Sequence, residues 1–545
     1  MKFTPGMTAQ DVAAAEDKIL AQPTVQAESS APAEKPLPPK YWGRNHEDMG
    51  TVLVERYKED LRFINDRSKS HSAGDDWAVW NGEFWDTSAT AAVQVSKWQR
   101  DMTAELKEAV REMLDDLLPV EVKADEVDQA AATADEQDAL NKMQKAFYNF
   151  YKSTKSDSFQ RDWRNQVKIR PQIQVRTTDF DRNHYLLNCK NGTIDLRTGE
   201  LIPFSRKDNI TKQVEIEYDP NAYCPTWVAA LNTWQNGDRE IIGFLQRLVG
   251  YFLTGDTSEQ IVTILFGPGA NGKTVFTTIV SALLGDYATA ADVETFLENR
   301  RSSQGPSEDV ARLRGRRLVI ASEPNEGRKL NESLIKSQSG GDKMTGRMPF
   351  QQSIEFDSTH KLVMLTNHKP VISGTDNGIW RRLRLIPFTV TIEKKDPKLT
   401  QSLLAELPGI LAWAVRGAAE WATMGLRSPE SVTKATDEYR GEQDLIEQFI
   451  KTYCDEDALY EELASNLFAL YEWDCEEGNI RGLNKNQFGR KLTDKGFAAK
   501  KVGSSQRRLG LAIKAEFRQT LQDIKDKKDR WKARDRDKPP GQDSL

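Results

Sequence analysis

The chain has 545 residues, of which 29% are charged and 38% are hydrophobic, and its formal net charge is -6. This length exceeds that of a single compact core and predicts roughly three or four domains. The balance is that of a globular protein, and no apolar run approaches the ~18 residues that a membrane span needs, which excludes a membrane-embedded class. The scattered cysteines and histidines lack metal-ligand spacing, so neither a zinc site nor a disulfide framework is predicted.

The amino-terminal part is predicted to hold a leader and a small mixed domain. Residues 1–45 are rich in Ala, Pro, Ser and Glu without periodicity, which is typical of disorder, and they contain no apolar signal-peptide core. LVERYKEDLRFI is typical of a helix, and WAVWNGEFWD is typical of a hairpin that turns at Asn81-Gly82. We expect four aromatic side chains of this hairpin to lie in the core: Trp77, Trp80, Phe84 and Trp85.

Further along, HYLLNCKNGTIDLRTGELIPF predicts a small strand meander, and Trp227–Leu253 reads as mostly helical. Residues 261–284, IVTILFGPGANGKTVFTTIVSALL, then combine a strand-like apolar run, a glycine-rich turn and a helical pattern. The turn fits G-x-x-x-x-G-K-[ST], in which glycines let successive backbone N–H groups point at phosphate oxygens. The alternative is a glycine-rich turn that matches by chance.

If the turn is a phosphate cradle, each part has a chemical role. Lys273 would reach the β and γ phosphates of ATP, and the Thr274 hydroxyl would hold Mg²⁺. The predicted ATP-binding residues are the members of the turn: Gly267, Pro268, Gly269, Ala270, Asn271, Gly272, Lys273 and Thr274.

Two later apolar runs each lead to a polar residue. Glu323 follows the run Leu318–Ala321, and Asn367 ends HKLVMLTNHKP. Because an open α/β sheet presents the carboxyl ends of its strands to the ligand crevice, Glu323 could hold Mg²⁺ or orient water, and Asn367 could sense the γ phosphate. An acid in an exposed loop and ordinary turn chemistry before a proline are the alternatives.

The order of GPGANGKT, ASE, GGDKMTGR, KLVMLTNHKP and GIWRR resembles superfamily 3 helicases. More narrowly it is similar to the phage, plasmid and poxvirus group in which such a motor forms the carboxyl-terminal part of a primase-helicase. The resemblance implies a multidomain α/β protein with an α+β collar domain at 46–220 and a central P-loop AAA+-type ATPase domain at 221–425. The residue pattern that follows predicts a winged-helix domain at 426–517.

The same resemblance assigns roles to residues outside the cradle. Lys273, Glu323 and Asn367 would be catalytic groups. Arg381 and Arg382 match the arginine finger that reaches the nucleotide of a neighbouring subunit, with no choice made between them. Solvent-facing arginines on an alternating strand are the alternative.

In GGDKMTGRMPF, Lys343 and Arg347 would contact DNA phosphates from a loop that lines the ring's channel, and a solvated charged turn is the competing reading. Only Glu323 represents the pair of acids that many members carry in the second motif. We find no primase signature upstream, so primer synthesis by this chain is not expected, and a separate primase or loader could act in trans.

Near the carboxyl terminus, YEELASNLFALYEWDCEEG, NKNQFGRKLTDKGF and AAKKVGSSQRRLGLAI predict helix, helix and wing. From residue 481 onward there are 19 Lys and Arg against 8 Asp and Glu, which indicates a local basic surface. Residues 518–545 are predicted to be a charged disordered tail. The candidate DNA contacts of this region are Lys485, Arg490, Lys491, Arg507 and Arg508.

These patterns predict an ATP-dependent replicative DNA helicase of a phage, prophage or plasmid, acting in the bacterial cytoplasm. The expected partners are single-stranded and forked duplex DNA and further copies of the chain, arranged as a ring, commonly a hexamer, that moves from 3′ to 5′. Two other interpretations stay open: a P-loop motor for DNA packaging or remodelling, and an origin-binding initiator whose ATP site controls assembly only.

Overall fold

The chain folds as a mixed α/β protein with a central parallel sheet and several separate hydrophobic clusters. The computed structural model describes residues 45–65, 76–115, 142, 145–298, 308–322, 327–347, 353–372, 377–478 and 482–536. Residues 1–44 of the predicted leader, residues 121–139, which are acidic and rich in alanine, and Glu323 lie outside these ranges. None of the helices in the described ranges combines the length and the hydrophobicity that a membrane span requires.

The first unit packs helices against a four-stranded sheet of order β3-β2-β1-β4. The predicted hairpin is confirmed: the Asn81 side chain accepts hydrogen bonds from the backbone N–H groups of Glu83 and Phe84, at 2.9 and 2.8 Å. Its elements are α1 His46–Tyr57, β1 Leu61–Ile64, β2 Trp77–Trp80, β3 Trp85–Asp86, α2 Ala89–Asp115, α3 Asp157–Lys168 and β4 Gln174–Val175.

Two predictions for this unit need correction. LVERYKEDLRFI is not one helix, because α1 ends at Tyr57 and LRFI forms β1 between β2 and β4. The apolar spacing of LRFI fits a helix or a strand, and pairing with distant strands decides between them. Trp77 and Trp85 are fully buried as predicted, whereas Trp80 and Phe84 are partly exposed at the sheet margin.

The predicted meander and the helices after it are confirmed. Three antiparallel strands form a sheet of order β5-β6-β7, and two helices follow it. Their bounds are β5 Leu186–Cys189, β6 Gly192–Asp195, β7 Glu200–Ile202, α4 Pro225–Trp234 and α5 Arg239–Leu253.

The central sheet has five strands, all parallel, in the order β14-β8-β13-β10-β9. The strand that precedes the glycine-rich turn, β8, therefore lies between β13 and β14. The elements of this region are β8 Val262–Phe266, α6 Lys273–Leu284, β9 Ala288–Ala291, β10 Leu318–Ser322, α7 Glu332–Gly340, β11 Lys343–Gly346, β12 Ile354–Asp357, β13 Lys361–Thr366, β14 Leu383–Pro387, α8 Leu399–Ala405, α9 Leu407–Met424 and α10 Glu430–Gln443.

One hydrophobic cluster joins the meander to the central sheet. It extends from Leu187 to Val432 and includes residues of β5, β6, α4, α5, α6, β8 and α9. Helices α5 and α9 approach closely at glycines: a Cβ on Gly250 would lie 2.1 Å from the backbone nitrogen of Ala418. This hydrophobic cluster thus contains residues from both sides of the predicted domain boundary between residues 220 and 221. The boundary itself stays a prediction.

The carboxyl-terminal region has its own core and an antiparallel sheet of order β15-β17-β16. The predicted succession of two helices and a hairpin is present. The elements are α11 Leu445–Tyr453, β15 Cys454–Leu463, α12 Ala464–Glu477, α13 Lys485–Asp494, β16 Ala499–Val502, β17 Ser505–Ile513 and α14 Arg518–Arg536.

The prediction of a disordered tail from residue 518 is wrong, because α14 extends to Arg536. Leu521 and Ile524 are buried in the carboxyl-terminal core, and Lys528 forms an ion pair with Glu472 of α12 at 2.5 Å. Two buried apolar side chains one turn apart thus dock a helix whose remaining residues are nearly all polar.

Candidate functional site

The glycine-rich turn between β8 and α6 has the backbone that a phosphate cradle requires. Gly272, the residue before α6, has φ +89°, a conformation that favours glycine. A Cβ on Gly267 would lie 2.0 Å from the carbonyl oxygen of Phe388, so only glycine fits there. Both ends of the predicted motif are therefore glycine for steric reasons.

The structure brings Lys273 and Asn367 together at the carboxyl ends of β8 and β13. The Lys273 ammonium is buried and donates to the Gly267 carbonyl at 2.5 Å, the Asn271 Oδ1 at 3.1 Å and the Asn367 Oδ1 at 3.2 Å. Strand pairing sets this contact, because Thr366 is in register with Phe266.

A pocket with a volume of ≈ 750 Å³ opens beside these groups. Its size lies within the range of about 300–1,000 Å³ typical of small-molecule sites. The cradle supplies one wall, and residues that sequence reasoning missed supply the other: Trp234, Leu365, Ile392, Lys395, Asp396, Pro397, Leu399 and Thr400.

The segment of residues 388–400, which contributes most of the second wall of the pocket, is bonded to the strand and turn of the cradle by backbone hydrogen bonds. The N–H of Phe388 donates to the Phe266 carbonyl at 2.7 Å, and the N–H of Ile392 donates to the Ala270 carbonyl at 2.9 Å. This segment returns to the site more than 100 residues after the turn, and it carries no motif by which the sequence could have revealed it.

Trp234, at the end of α4, lines the pocket and packs directly against the cradle. A Cβ on Gly272 would lie 2.4 Å from its indole nitrogen, and the ring is almost fully buried. Trp234 meets Trp227 edge-on, with ring centroids 5.9 Å apart, and Trp227 stacks on Phe276 of α6 at 5.6 Å. An aromatic row thus connects the segment before the sheet to the turn.

The groups predicted to hold Mg²⁺ are only partly described. Thr274 is exposed in the first turn of α6 and lines the pocket, so its hydroxyl faces the same space as Lys273. Glu323 lies outside the described residues, directly after Ser322, the last residue of β10. The described residues contain no cluster of three or more metal-ligating side chains.

Arg381 and Arg382 have different environments. Arg382 is buried, and its guanidinium donates to the Ser339 hydroxyl at 3.2 Å and to the Gly378 carbonyl at 2.5 Å. Arg381 is exposed. Both arginines precede the amino end of β14, whereas Phe388, directly after its carboxyl end, contacts the cradle. Because a five-residue strand rises about 16 Å, the backbones of the two arginines lie about that far from the cradle.

A second cleft, with a volume of ≈ 320 Å³, lies between this end of β14 and α10, and it is lined by Arg381, Arg384, Asp437 and Arg440 among others. Arg384 donates to the Arg381 carbonyl at 2.8 Å and to the Ser428 hydroxyl at 3.0 Å. Burial lowers the pKa of Arg384, which the charge of Glu259 partly offsets. Three guanidinium groups and one carboxylate give the cleft a positive balance.

The predicted channel loop is an antiparallel hairpin of β11 and β12. Lys343 begins β11 and Arg347 directly follows it, and both are exposed. The tip, residues 348–352, lies outside the described part of the chain.

The carboxyl-terminal basic residues divide into surface and structural groups. Lys485 and Arg490 are exposed on α13, Lys491 is half-buried there, and Arg507 is half-buried 3.9 Å from Glu461. Lys500 and Lys501 on β16 are also exposed, although they were not among the predicted contacts. The doubled lysine of the predicted hairpin was the available signal.

Arg508 does not have the exposed wing position that the sequence predicted. It is buried, and it donates to the Thr493 hydroxyl at 2.7 Å and to the carbonyls of Phe497 and Gly489 at 3.0 and 2.6 Å. Burial lowers its pKa. Its guanidinium fixes β17 to α13 in this structure.

Comparisons with known proteins match two parts of the chain. Residues 50–236 match a family model described as D5 N terminal like, and residues 265–382 match one described as a family of unknown function, DUF5906. The first match ends two residues after Trp234, and the second includes the cradle, Asn367 and the arginine pair.

The similar curated proteins come from large DNA viruses. "Putative helicase L207/L206" of Acanthamoeba polyphaga mimivirus is 28% identical over 299 residues, which cover 50% of this chain and 31% of that protein. "Putative primase C962R" of African swine fever virus (isolate Tick/Malawi/Lil 20-1/1983) is 28% identical over 250 residues, 45% of this chain and 26% of that protein. "Putative helicase 022R" of Frog virus 3 is 28% identical over 231 residues, which cover 38% of this chain and 23% of that protein.

The chain therefore spans less than a third of the length of these relatives. The similarities support, at low identity, a relationship to the viral primase-helicase group. Among solved structures, the A form apo structure of the NrS-1 C terminal region is 11% identical and covers 55% of this chain and 78% of that chain, at a TM-score of 0.35. A TM-score this low supports no argument about fold or function.

Proposed function

We propose that this chain is an ATP-dependent DNA helicase with a P-loop ATPase domain of the AAA+ type, assembled as a ring of copies. The observation that supports it most strongly is the contact between Lys273 of the glycine-rich turn and Asn367 at the end of the neighbouring parallel strand, inside a pocket of nucleotide size. The names of the viral relatives, putative helicases and a putative primase, support DNA as the polymer on which the proposed motor acts. The phage or plasmid origin, the bacterial cytoplasm, the hexamer and the 3′ to 5′ polarity remain predictions.

In the proposed mechanism the chain's own groups bind and orient the triphosphate. The backbone N–H groups of the turn and the amino end of α6 face the phosphates, and the Lys273 ammonium offsets their charge. The Asn367 amide is placed to orient water at the γ phosphate. Thr274, with Glu323 as the expected carboxylate, would hold Mg²⁺, which supplies charge stabilisation when bound.

Arg381 is the arginine that we propose acts on a neighbouring protomer's nucleotide. It is exposed, whereas Arg382 is occupied in the interior. Strand β14 separates Arg381 from its own cradle by about 16 Å, beyond the reach of one side chain. Such a residue can serve hydrolysis only across an interface between copies, where an arginine is worth about 10³–10⁵ in rate.

Two exposed basic surfaces are the proposed DNA contacts. The hairpin of β11 and β12 presents Lys343 and Arg347, which would grip the backbone of a single strand without reading its sequence. The carboxyl-terminal region, with α13 as the second of two helices before a hairpin, has the element order of a winged helix. There, Lys485, Arg490, Lys491 and Arg507 would contact the duplex part of a fork.

Strand displacement tests the activity. Duplexes with a 3′ or a 5′ single-stranded tail are incubated with ATP and Mg²⁺, and we expect unwinding of the 3′-tailed substrate that stops with Lys273→Ala. Duplex binding that survives Lys273→Ala without unwinding by the unaltered chain would favour an initiator. ATP turnover indifferent to added single strands would favour a packaging or remodelling motor.

Mixing two inactive variants tests the shared site. Lys273→Ala removes the cradle lysine and Arg381→Ala removes the proposed trans group, so each alone should lose ATP hydrolysis. Random assembly of equal amounts joins an intact cradle to an intact Arg381 at about a quarter of the interfaces, so the mixture should regain up to about a quarter of the activity. Arg416→Ala, an exposed arginine on α9, is the matched control. A mixture that stays inactive contradicts the trans role.

A further inference from the structure

Asn271, inside the cradle, holds two parts of the molecule at once. Its side chain is almost fully buried. The amide nitrogen donates to the carbonyl oxygens of Pro268 and Phe388, the latter at 2.6 Å, while the amide oxygen accepts from the Lys273 ammonium at 3.1 Å. The opposite orientation would set the amide oxygen against two carbonyls, so these partners fix the amide in one orientation.

A count of donors shows what phosphate binding must do to these contacts. The Lys273 ammonium has three N–H groups, and its acceptors include the Gly267 carbonyl, the Asn271 amide and the Asn367 amide. A phosphate oxygen that binds the ammonium must therefore replace at least one of its partners. Of these three acceptors, the Gly267 carbonyl belongs to the backbone, whereas the two amide side chains can yield.

Within the described residues, the Asn271 amide also bonds to a second element, and the Asn367 amide does not. Asn271 holds the carbonyl of Phe388, the first residue after β14. That end of β14 is further clamped to the cradle, because the Phe388 N–H donates to Phe266 and the Gly267 backbone lies against the Phe388 carbonyl. A movement of the Asn271 side chain therefore acts on the backbone at the carboxyl end of β14.

The amino end of the same strand carries Arg381. Arg384, the second residue of β14, donates to the Arg381 carbonyl at 2.8 Å and fixes its backbone to the strand. Strand β14 is the edge strand of the central sheet: its five residues pair in register with β8, and the Leu385 N–H donates to the Thr436 hydroxyl of α10 at 3.0 Å. Held from both sides, the strand transmits a shift along its length, because packed interiors do not deform continuously. The cradle and Arg381 are therefore the two ends of one rigid element.

We propose that Asn271 is a positioning residue that transmits phosphate occupancy of a protomer's own cradle through β14 to Arg381. The proposal rests on the proposed function, in which Arg381 serves the neighbouring protomer's nucleotide. Occupancy of one cradle then sets the position of the arginine that completes the next, so that hydrolysis in adjacent protomers is coupled.

The test compares Asn271→Ala with Asn367→Ala in the full chain. Each removes one amide acceptor from Lys273, but only Asn271→Ala also removes the bond to Phe388. Hydrogen exchange of the peptide covering residues 383–392 is measured with and without ATPγS, together with ATPγS affinity, KM and kcat.

In the unaltered chain, and in Asn367→Ala, ATPγS should change the exchange of this peptide by at least about twofold. In Asn271→Ala this response should be absent. Its KM should stay within about fivefold, while kcat falls by about 10–10²-fold, because misplacing a catalytic group by about 1 Å has effects of that size. A change confined to KM would indicate a merely local role in the cradle and would overturn the proposal.

Two further outcomes would also overturn it: no ATPγS response of residues 383–392 in the unaltered chain, or the same response in Asn271→Ala. If Asn271→Ala does not bind ATPγS, Asn271→Thr takes its place, since the hydroxyl is too short to reach both partners. Loss of ATPγS binding in both variants would assign Asn271 to the cradle alone, against the proposal. The exchange response requires only nucleotide binding, so it stays readable even if the chain neither hydrolyses ATP nor unwinds DNA.

Discussion

Gly272→Ala should destabilise the nucleotide-binding region strongly, and the structure allows the size of the effect to be worked out. At φ +89° an alanine costs roughly 1–2 kcal/mol relative to glycine. Its Cβ would also lie 2.4 to 2.6 Å from three atoms of the buried Trp234 ring, an overlap of the kind that costs about 1–3 kcal/mol in packed cores. Together they predict a loss of about 2–5 kcal/mol in unfolding free energy.

Gly269→Ala is the matched control in the same turn. A Cβ there meets no atom within 4 Å, and Gly269 is not among the glycines with positive φ. Its effect on unfolding should stay within about 0.5 kcal/mol. Urea unfolding followed by tryptophan fluorescence measures both variants.

A double-mutant cycle separates the two contributions to the Gly272→Ala effect. Trp234→Ala removes the ring that the new methyl group would strike, so the double variant should be more stable than the sum of the single effects by about 1–3 kcal/mol. Equal urea midpoints for Gly272→Ala and Gly269→Ala, or strict additivity in the cycle, would refute the close contact between α4 and the turn.

Three further predictions concern stability. Gly250→Ala should lower the unfolding free energy by more than about 3 kcal/mol, because its Cβ would lie 2.1 Å from the backbone of Ala418. Gly441→Ala, whose Cβ meets no atom within 4 Å, should stabilise α10 by about 0.5–1 kcal/mol. Thermal unfolding ranks the two variants, and the reverse order would contradict the packing of α5 on α9. Glu406→Ala should cost about 1–2 kcal/mol, because its carboxylate accepts two backbone N–H groups at the amino end of α4, both at 3.0 Å, and an unchanged urea midpoint would argue against this cap. Burial, aided by a neighbouring lysine, lowers the pKa of His360 from 6.5 to about 3, so the unfolded chain binds a proton that the folded chain resists. Between these pH values stability should fall as pH falls, by up to about 1.4 kcal/mol per pH unit, and His360→Asn should lose this part of the slope in urea titrations. Parallel slopes for the two proteins would be evidence against a buried neutral imidazole.

The parts of the site that are contiguous in sequence could be predicted, and the parts contributed by distant segments could not. The strand, turn and helix around Lys273 were found because their spacing alone reports the geometry. Asn367 was found because parallel strands present their carboxyl ends together. Trp234 and Ile392 were missed, since their contacts with the turn depend on where other elements pack.

Burial of individual arginines was equally hidden from the sequence. Arg381 and Arg382 are adjacent and chemically identical, yet one is exposed and the other bonds to α7 in the interior. The position of Arg508 in its strand fits an exposed wing residue, but its side chain is buried against α13. Helix α14 was predicted as disorder because its two buried residues, Leu521 and Ile524, are few among many charges.

The hydrophobic cluster that runs from Leu187 to Val432 limits how this protein can be divided or exchanged. A fragment that starts at residue 221 would lay bare the apolar faces that the meander covers, and it should aggregate rather than hydrolyse nucleotide. Recombination between relatives meets the same obstacle: a swapped amino-terminal segment must bring side chains that fit the helices behind the cradle. Natural or engineered chimaeras should therefore tolerate junctions before the meander far better than junctions at the end of α4.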